Sequence, residues 1–183
     1  MTARTYTLCG DQTAIISECG RYRYELRRIW DEKLPPYLSI MLNPSTADHE
    51  RDDPTIRRNI NRAQALGFGS LIVCNLGAGR ATNPRDWMAM RDPIGPENDH
   101  FIESALCETR DRKGVAVAGW GTLGDFMRRD LAVKTMARRL SVDLYSLGVT
   151  FGGHPKHPLY VPRRQDLTMF FRHEQPRRIG IGQ

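Results

Sequence analysis

The chain has 183 residues, 40% of them hydrophobic and 26% charged, with a net charge of +6. That length suits one domain with a real core, and no apolar run approaches the ~20 residues of a membrane span. The first residues, Met1 to Thr5, have no apolar segment behind them that could act as a signal peptide, so a cytoplasmic protein with no membrane contact is expected.

The four cysteines, Cys9, Cys19, Cys74 and Cys107, make no CxxC pair and no metal-like spacing. They read as reduced thiols, and no cofactor or metal is expected. Of 27 basic residues only four are lysine. Arginine's planar fork suits phosphate and stacks on bases, which is compatible with a nucleic-acid partner. A GC-rich coding bias is the alternative source of the same composition.

Thr13 to Trp30 reads as a β-hairpin turning at Cys19-Gly20. Tyr22, Tyr24 and Leu26 alternate with Arg21, Arg23 and Glu25, giving one apolar and one charged face. This predicts an antiparallel addition at a sheet edge. Residues 37–42 follow as the central strand, and Ile40 to Leu42 are apolar as in a strand covered on both faces. The strand stops at Asn43-Pro44, because Pro44 has no N–H for a ladder and holds Asn43 extended. Asp53 and Pro54 form a helix start, and Ile56, Ile60, Ala63 and Leu66 share a face up to Gly67. Arg57, Arg58 and Arg62 lie off that stripe, as a solvated face or a phosphate-facing patch.

Ser70 to Asn75 is a second apolar strand ending in Asn. A loop through Gly77, Gly79 and Arg80 leads to a short helix over 84–90 and a longer one over 97–110. Val115 to Ala118 is the third strand, ending at Gly119-Trp120-Gly121. A helix over 123–139, a fourth strand over 142–147, a loop over 148–160 and a last helix over 163–171 complete a single domain, 1–171. The tail 172–183 is basic and expected to be loose.

Strands alternating with helices predict a three-layer α/β/α sandwich around a mainly parallel four-stranded sheet, with the N-terminal β-hairpin added. Parallel strands end on one rim, where ligands bind in open α/β sheets. That rim gathers Asn43, Asn75, Trp120 and His157. The phosphate-loop, dinucleotide, zincin and α/β-hydrolase motifs are absent. Amides read the edges of bases, aromatic rings stack on them, and a histidine can donate to a departing anion. Each residue also has a plainer reading: Asn43-Pro44 as a turn, Asn75 as a turn cap, His154 as a surface residue, Trp120 as core. The acidic stretch with Asp48, Asp52 and Asp53 is either a solvated loop with a helix cap or a metal site of a hydrolase or transferase, with His49 or His154 as its histidine ligand.

Leu42-Asn43-Pro44-Ser45 resembles the first motif of the uracil-DNA glycosylase superfamily, in its Asn-Pro form. Leu71 to Asn75 followed by Arg80-Ala81 is similar to that superfamily's base-reading strand, and Ala118 to Gly121 to its third strand end. His157-Pro158-Leu159 resembles its His-Pro motif. Over nearly its full length the chain also resembles an uncharacterised bacterial and phage family, domain of unknown function 1643. That match rests on the 42–48 motif, Asp53-Pro54-Thr55, Arg80-Ala81-Thr82, Asn98-Asp99, Trp120-Gly121 and Pro155 to Tyr160.

The glycosylase resemblance implies a uracil-DNA glycosylase-like fold. It makes Asn43 the water-positioning residue, His157 the stabiliser of the departing base, Asn75 the reader of its edge and Leu159 the wedge that fills the vacated stack. Pro44, Ser45, Arg80, Trp120 and Lys156 complete the substrate-binding set. The expected function is nucleobase recognition with N-glycosidase chemistry on DNA or a nucleotide. The alternative is a non-catalytic nucleotide or nucleic-acid binding module. A monomer is expected.

Overall fold

The computed structural model describes residues 3–8, 12–45 and 52–173. The segment 46–51, which holds Asp48, His49 and Glu50, lies outside the described residues, as do Cys9 and the tail from 174 onward.

Eight strands form one sheet: β1 (Ala3–Leu8), β2 (Gln12–Ser17), β3 (Arg23–Ile29), β4 (Pro36–Met41), β5 (Ser70–Asn75), β6 (Val115–Ala118), β7 (Leu144–Ser146) and β8 (Thr168–Phe171). Their order across the sheet is β1-β2-β3-β5-β4-β6-β7-β8. The four central strands, β5, β4, β6 and β7, run parallel. On one side β3, β2 and β1 continue the sheet antiparallel, and on the other β8 closes it antiparallel to β7. The expected four-stranded parallel sheet is thus the middle of a mixed sheet twice as wide.

Four helices accompany it: α1 (Pro54–Ala65), α2 (Pro84–Met88), α3 (Asn98–Asp111) and α4 (Arg129–Arg139). Alternation along the strands assigns them to faces. Leu38, Ile40, Ile72, Cys74, Ala116 and Ala118 pack with Ile102 and Leu106 of α3 and Val133 and Met136 of α4. The residues between them, Tyr37, Met41, Leu71, Val73, Val115 and Val117, pack with Ile56 and Ala63 of α1. Both faces of the parallel strands are therefore covered, which is why those strands are apolar throughout. The chain is of the α/β class. The α1 start follows the sequence: Asp53 accepts from the Ile56 N–H at 2.8 Å, with Pro54 as the first helical residue. Among the described residues no helix is long and apolar enough to cross a membrane.

Three expectations are corrected. The segment 163–171 is not a helix; its end is β8, because Thr168-Met169-Phe170-Phe171 suits a strand and β7 offers an unpaired edge. Phe170 then packs edge-on to Trp120, centroids 5.8 Å apart. The helix over 123–139 starts only at Arg129. Ahead of it lie two 3₁₀ turns, with Met127 and Arg128 at φ of 52° and 57°, a conformation that interrupts a helix. The charged face of the hairpin is solvated only at Arg21: Arg23 and Glu25 are buried, as is the nearby Arg28, since β3 lies inside the sheet between β2 and β5. Arg28 pairs with Asp52 at 2.9 Å and Arg27 with Glu108 of α3 at 2.7 Å. At the far end His173, placed in the loose tail by sequence, donates its backbone N–H to Asp143.

The end of β5 is gripped from outside the sheet. Asn98, the first residue of α3, donates its amide to the carbonyls of both Asn75 and Leu76, each at 3.0 Å. Arg129, the first residue of α4, donates Nε to Leu76 O at 2.8 Å and pairs with Asp99. Replacing Arg129 by Met removes the charged one of the two donors to Leu76 O and leaves Asn98 as the other. Loss of a hydrogen bond from a charged group is expected to lower unfolding stability by about 1–3 kcal/mol, read as a shift of the urea midpoint at unchanged slope.

Candidate functional site

Beyond Met41 the chain leaves the sheet, but its pairing with the β5 side continues. Leu76 N–H donates to Met41 O, Gly77 N–H to Leu42 O and Ala81 N–H to Pro44 O, at 2.8, 3.1 and 3.0 Å. Two extended segments thus run side by side out of the rim. Asn43 is fixed between them. Its amide nitrogen donates to Ala81 O at 2.8 Å and to Pro44 O at 3.2 Å. Both contacts occupy the NH₂ end, so the flip state is set and Oδ1 is the end left for a ligand or a water.

A cavity of about 620 Å³ opens beside it. Its wall includes Asn43 and Ser45 after β4, Thr55 and Ile56 at the start of α1, and Trp120 after β6. Lys156, His157, Leu159 and Tyr160 complete it from the late loop. The size is within the range of about 300–1,000 Å³ usual for small-molecule sites.

His157 precedes a 3₁₀ turn, Pro158–Tyr160, and its Nδ1 accepts the Leu159 N–H at 3.3 Å. Nδ1 is therefore the acceptor, and a neutral ring carries its proton on Nε2. Burial pushes the imidazole below its ordinary 6.5, opposed in part by the negative charge of Asp53. At neutral pH His157 is an uncharged donor in the cavity wall. The turn is held against α1 by Arg58 and Arg62, which donate to the carbonyls of Val161 and Pro162 at 3.1 and 2.8 Å. Of the three arginines off the apolar stripe of α1, Arg57 is exposed, whereas Arg58 and Arg62 clamp the loop that carries His157.

Trp120 belongs to the core, where it packs against Phe170, and also reaches the cavity. Gly124 allows this, since a Cβ there would lie 2.0 Å from the indole Cδ1. Of the nine residues singled out by sequence, six line the cavity: Asn43, Ser45, Trp120, Lys156, His157 and Leu159. Three lie outside its wall. Pro44 is buried and contributes its carbonyl to Asn43 and Ala81. Arg80 reaches the hairpin turn, donating to Gly20 O at 3.0 Å. Asn75 is 1% exposed, and among the described residues neither its amide nitrogen nor its oxygen has a hydrogen-bond partner. Leu159 is half-buried, whereas the neighbouring Tyr160 is 82% exposed at the cavity mouth.

Sequence reading missed Arg23. It lines the cavity from β3, yet is only 5% exposed. The cause is a bulge. Ile15 pairs with Glu25 but Ile16 pairs with Arg23, so Tyr24 is an extra residue in the ladder. A bulge breaks strict alternation and re-aims a side chain. The only signal for it in the sequence is the run of charges in an otherwise apolar hairpin, which reads equally as a solvent face. Thr55, Thr150 and Tyr160 were also missed. Of the acidic stretch, Asp52 pairs with Arg28 and Asp53 caps α1. Among the described residues no group of three His, Cys, Asp or Glu side chains could hold a metal ion.

A family model described as "Protein of unknown function (DUF1643)" matches residues 23–159. No curated protein matches the chain, and no solved structure does.

The lowered His157 pKa has a pH signature. As pH falls through 6.5 the unfolded chain takes up this proton before the folded one does. The stability contributed by neutral His157 is thus complete above that pH and lost progressively below it, until the folded ring protonates. The His157→Gln variant is expected to show a shallower loss of stability on acidification than the parent, measured by urea midpoints between about pH 5 and 8.

Proposed function

We propose that this chain, which belongs to the DUF1643 family, recognises a nucleobase in its rim cavity and hydrolyses the N-glycosidic bond that holds it. The observation that carries the reading is the state of His157. It is an imidazole held neutral by burial, with Nδ1 committed to Leu159 N–H, and it lines the same cavity as an orientationally fixed Asn43.

The chemistry follows from those two groups. Asn43 Oδ1 accepts from a water and holds it against the anomeric carbon of the sugar. The water oxygen bonds to that carbon as the C–N bond breaks, and the bond pair leaves with the base as an anion. His157 Nε2–H donates to the base oxygen on which the charge develops. A neutral donor suits this role, being already in place and needing no prior protonation at neutral pH. The proton released by the water is taken up by the departed base or by solvent. Trp120 and Tyr160 supply aromatic surface at the wall and mouth.

The resemblance to the uracil-DNA glycosylase superfamily supports the same reading through the Asn-Pro and His-Pro motifs, whose Asn43 and His157 line one cavity. In this proposal the base comes from DNA or a nucleotide, and Asn75 reads no base edge directly, since it is buried outside the cavity wall.

The test is base release followed by mass spectrometry. The substrates are nucleosides, nucleotides, and single- and double-stranded oligonucleotides carrying uracil, deaminated and alkylated bases. One base is expected to be released. Asn43→Ala and His157→Ala should each lower the rate by about 10²-fold or more while the protein stays folded at the assay temperature. Full activity in both variants would sink the hydrolase. Thermal stabilisation by a nucleotide with no base released would leave the binding module as the function.

A further inference from the structure

Arg23 is the charged group that the reaction leaves unused. Its side chain is 95% buried by its 5% exposure, and it lines the cavity. Its Nε is sealed from solvent and has no hydrogen-bond partner among the described residues. Among the described residues no carboxylate and no carbonyl accepts from its guanidinium. The neighbouring Arg28 is satisfied by Asp52 and by the Arg27 carbonyl, and Arg27 by Glu25 and Glu108. Arg23 alone in this run of β3 arginines is buried with nothing to hold.

A buried charge without a partner is costly, and proteins leave very few. Burial pulls this guanidinium down to about 10, with Arg80 and Arg28 adding to the shift and Asp53 opposing it. It therefore keeps its charge at neutral pH. Among the described residues Asp53 is the one carboxylate in the cavity wall, and it is already committed to the Ile56 N–H at the start of α1. Lys156 is a second cation in the same wall. The ladder bulge at Tyr24 turns Arg23 toward this space, and bulges of this kind recur beside active sites.

We infer that Arg23 is the anchor of an anion subsite within the cavity, that Lys156 is its second cation, and that the group they hold is the phosphate of a phosphorylated nucleoside. Arginine suits this because its fork meets phosphate oxygens in pairs. The depth of Arg23 selects the source. A backbone phosphate of an intact duplex stays on the outside of the nucleic acid and cannot reach a group this far inside. A phosphate carried in with its own base, on a nucleoside monophosphate or at the end of a strand, can. The inference rests on the nucleobase reading of the cavity and names its substrate class.

The test compares each nucleoside with its 5′-monophosphate and 3′-monophosphate, a 5′-phosphorylated trinucleotide, and inorganic phosphate alone, by calorimetric titration. The proteins are the parent, Arg23→Gln, Lys156→Gln and Asn43→Ala. A monophosphate should bind the parent at least about tenfold more tightly than its nucleoside. Arg23→Gln should erase that ratio and raise the melting temperature of the empty protein, because an unpartnered buried charge is gone. Lys156→Gln should reduce the ratio, and Asn43→Ala should leave it intact. Preference for the free monophosphate or for the trinucleotide distinguishes the two sources, and either result supports the subsite.

Equal binding of nucleoside and monophosphate by the parent overturns the inference without reference to any variant. So does an undiminished ratio in Arg23→Gln, or no binding of any phosphorylated probe. Base release from a nucleoside as fast as from its monophosphate would sink the phosphate subsite while leaving the glycosidase intact. A monophosphate preference with no base release would do the reverse.

Discussion

The carbonyls of Asn75 and Leu76 are the point on which the rim depends. Where β5 ends, the backbone leaves the parallel ladder and its acceptors need new donors. Asn98 and Arg129, the opening residues of α3 and α4, supply them from outside the sheet. With those carbonyls held, residues 76–81 continue alongside 41–44, and Ala81 stands where it can fix the Asn43 amide. Two helices with no residue in the cavity wall therefore determine which end of Asn43 faces it. The Asn98-Asp99 pair, which stands out in the sequence without chemistry attached, belongs to this grip: Asn98 holds the carbonyls and Asp99 pairs with Arg129.

The cavity uses one physical effect for two ends. Burial disfavours the charged form of both His157 and Arg23. The imidazole starts at 6.5 and is carried to neutrality. The guanidinium starts at 12.5 and remains a cation at about 10. The same dry wall thus presents a neutral donor and a positive charge. A carboxylate is present too, Asp53, which caps α1; among the described residues the two cations Arg23 and Lys156 outnumber it in the wall.

Much of this was written in the sequence, and the limits are physical. The run Ile40 to Leu42 with Asn43-Pro44 behind it marks a buried strand and its end, because proline cannot continue a ladder. Asp53-Pro54 marks a helix start for equally local reasons. The pairing of β3 with β5 is not local. Nothing within residues 21–28 states which strand will cover them, so Arg23 and Glu25 read as a wet face although both are buried. The bulge at Tyr24 is invisible for the same reason, since a ladder needs two strands to be out of step. The strand β8 was read as a helix because a short run such as Thr168 to Phe171 fits either periodicity until an open edge offers it hydrogen bonds. Asn75 illustrates the opposite limit: the sequence shows an amide at a strand end, and only the three-dimensional packing decides that it is sealed.

The cap that His157 places on its own turn has a thermodynamic corollary. Nδ1 is unprotonated because Leu159 N–H occupies it and because the ring is buried. Any excursion that swings residues 157–160 away from α1 removes both conditions at once. The freed imidazole regains its solution basicity, so displacement of the loop is accompanied by proton uptake from near pH 6.5 down to the point at which the closed ring itself protonates. Acidification then favours the displaced loop and alkalinity the closed one. The Arg58 and Arg62 contacts to the Val161 and Pro162 carbonyls set the work that a proton must do to shift that balance.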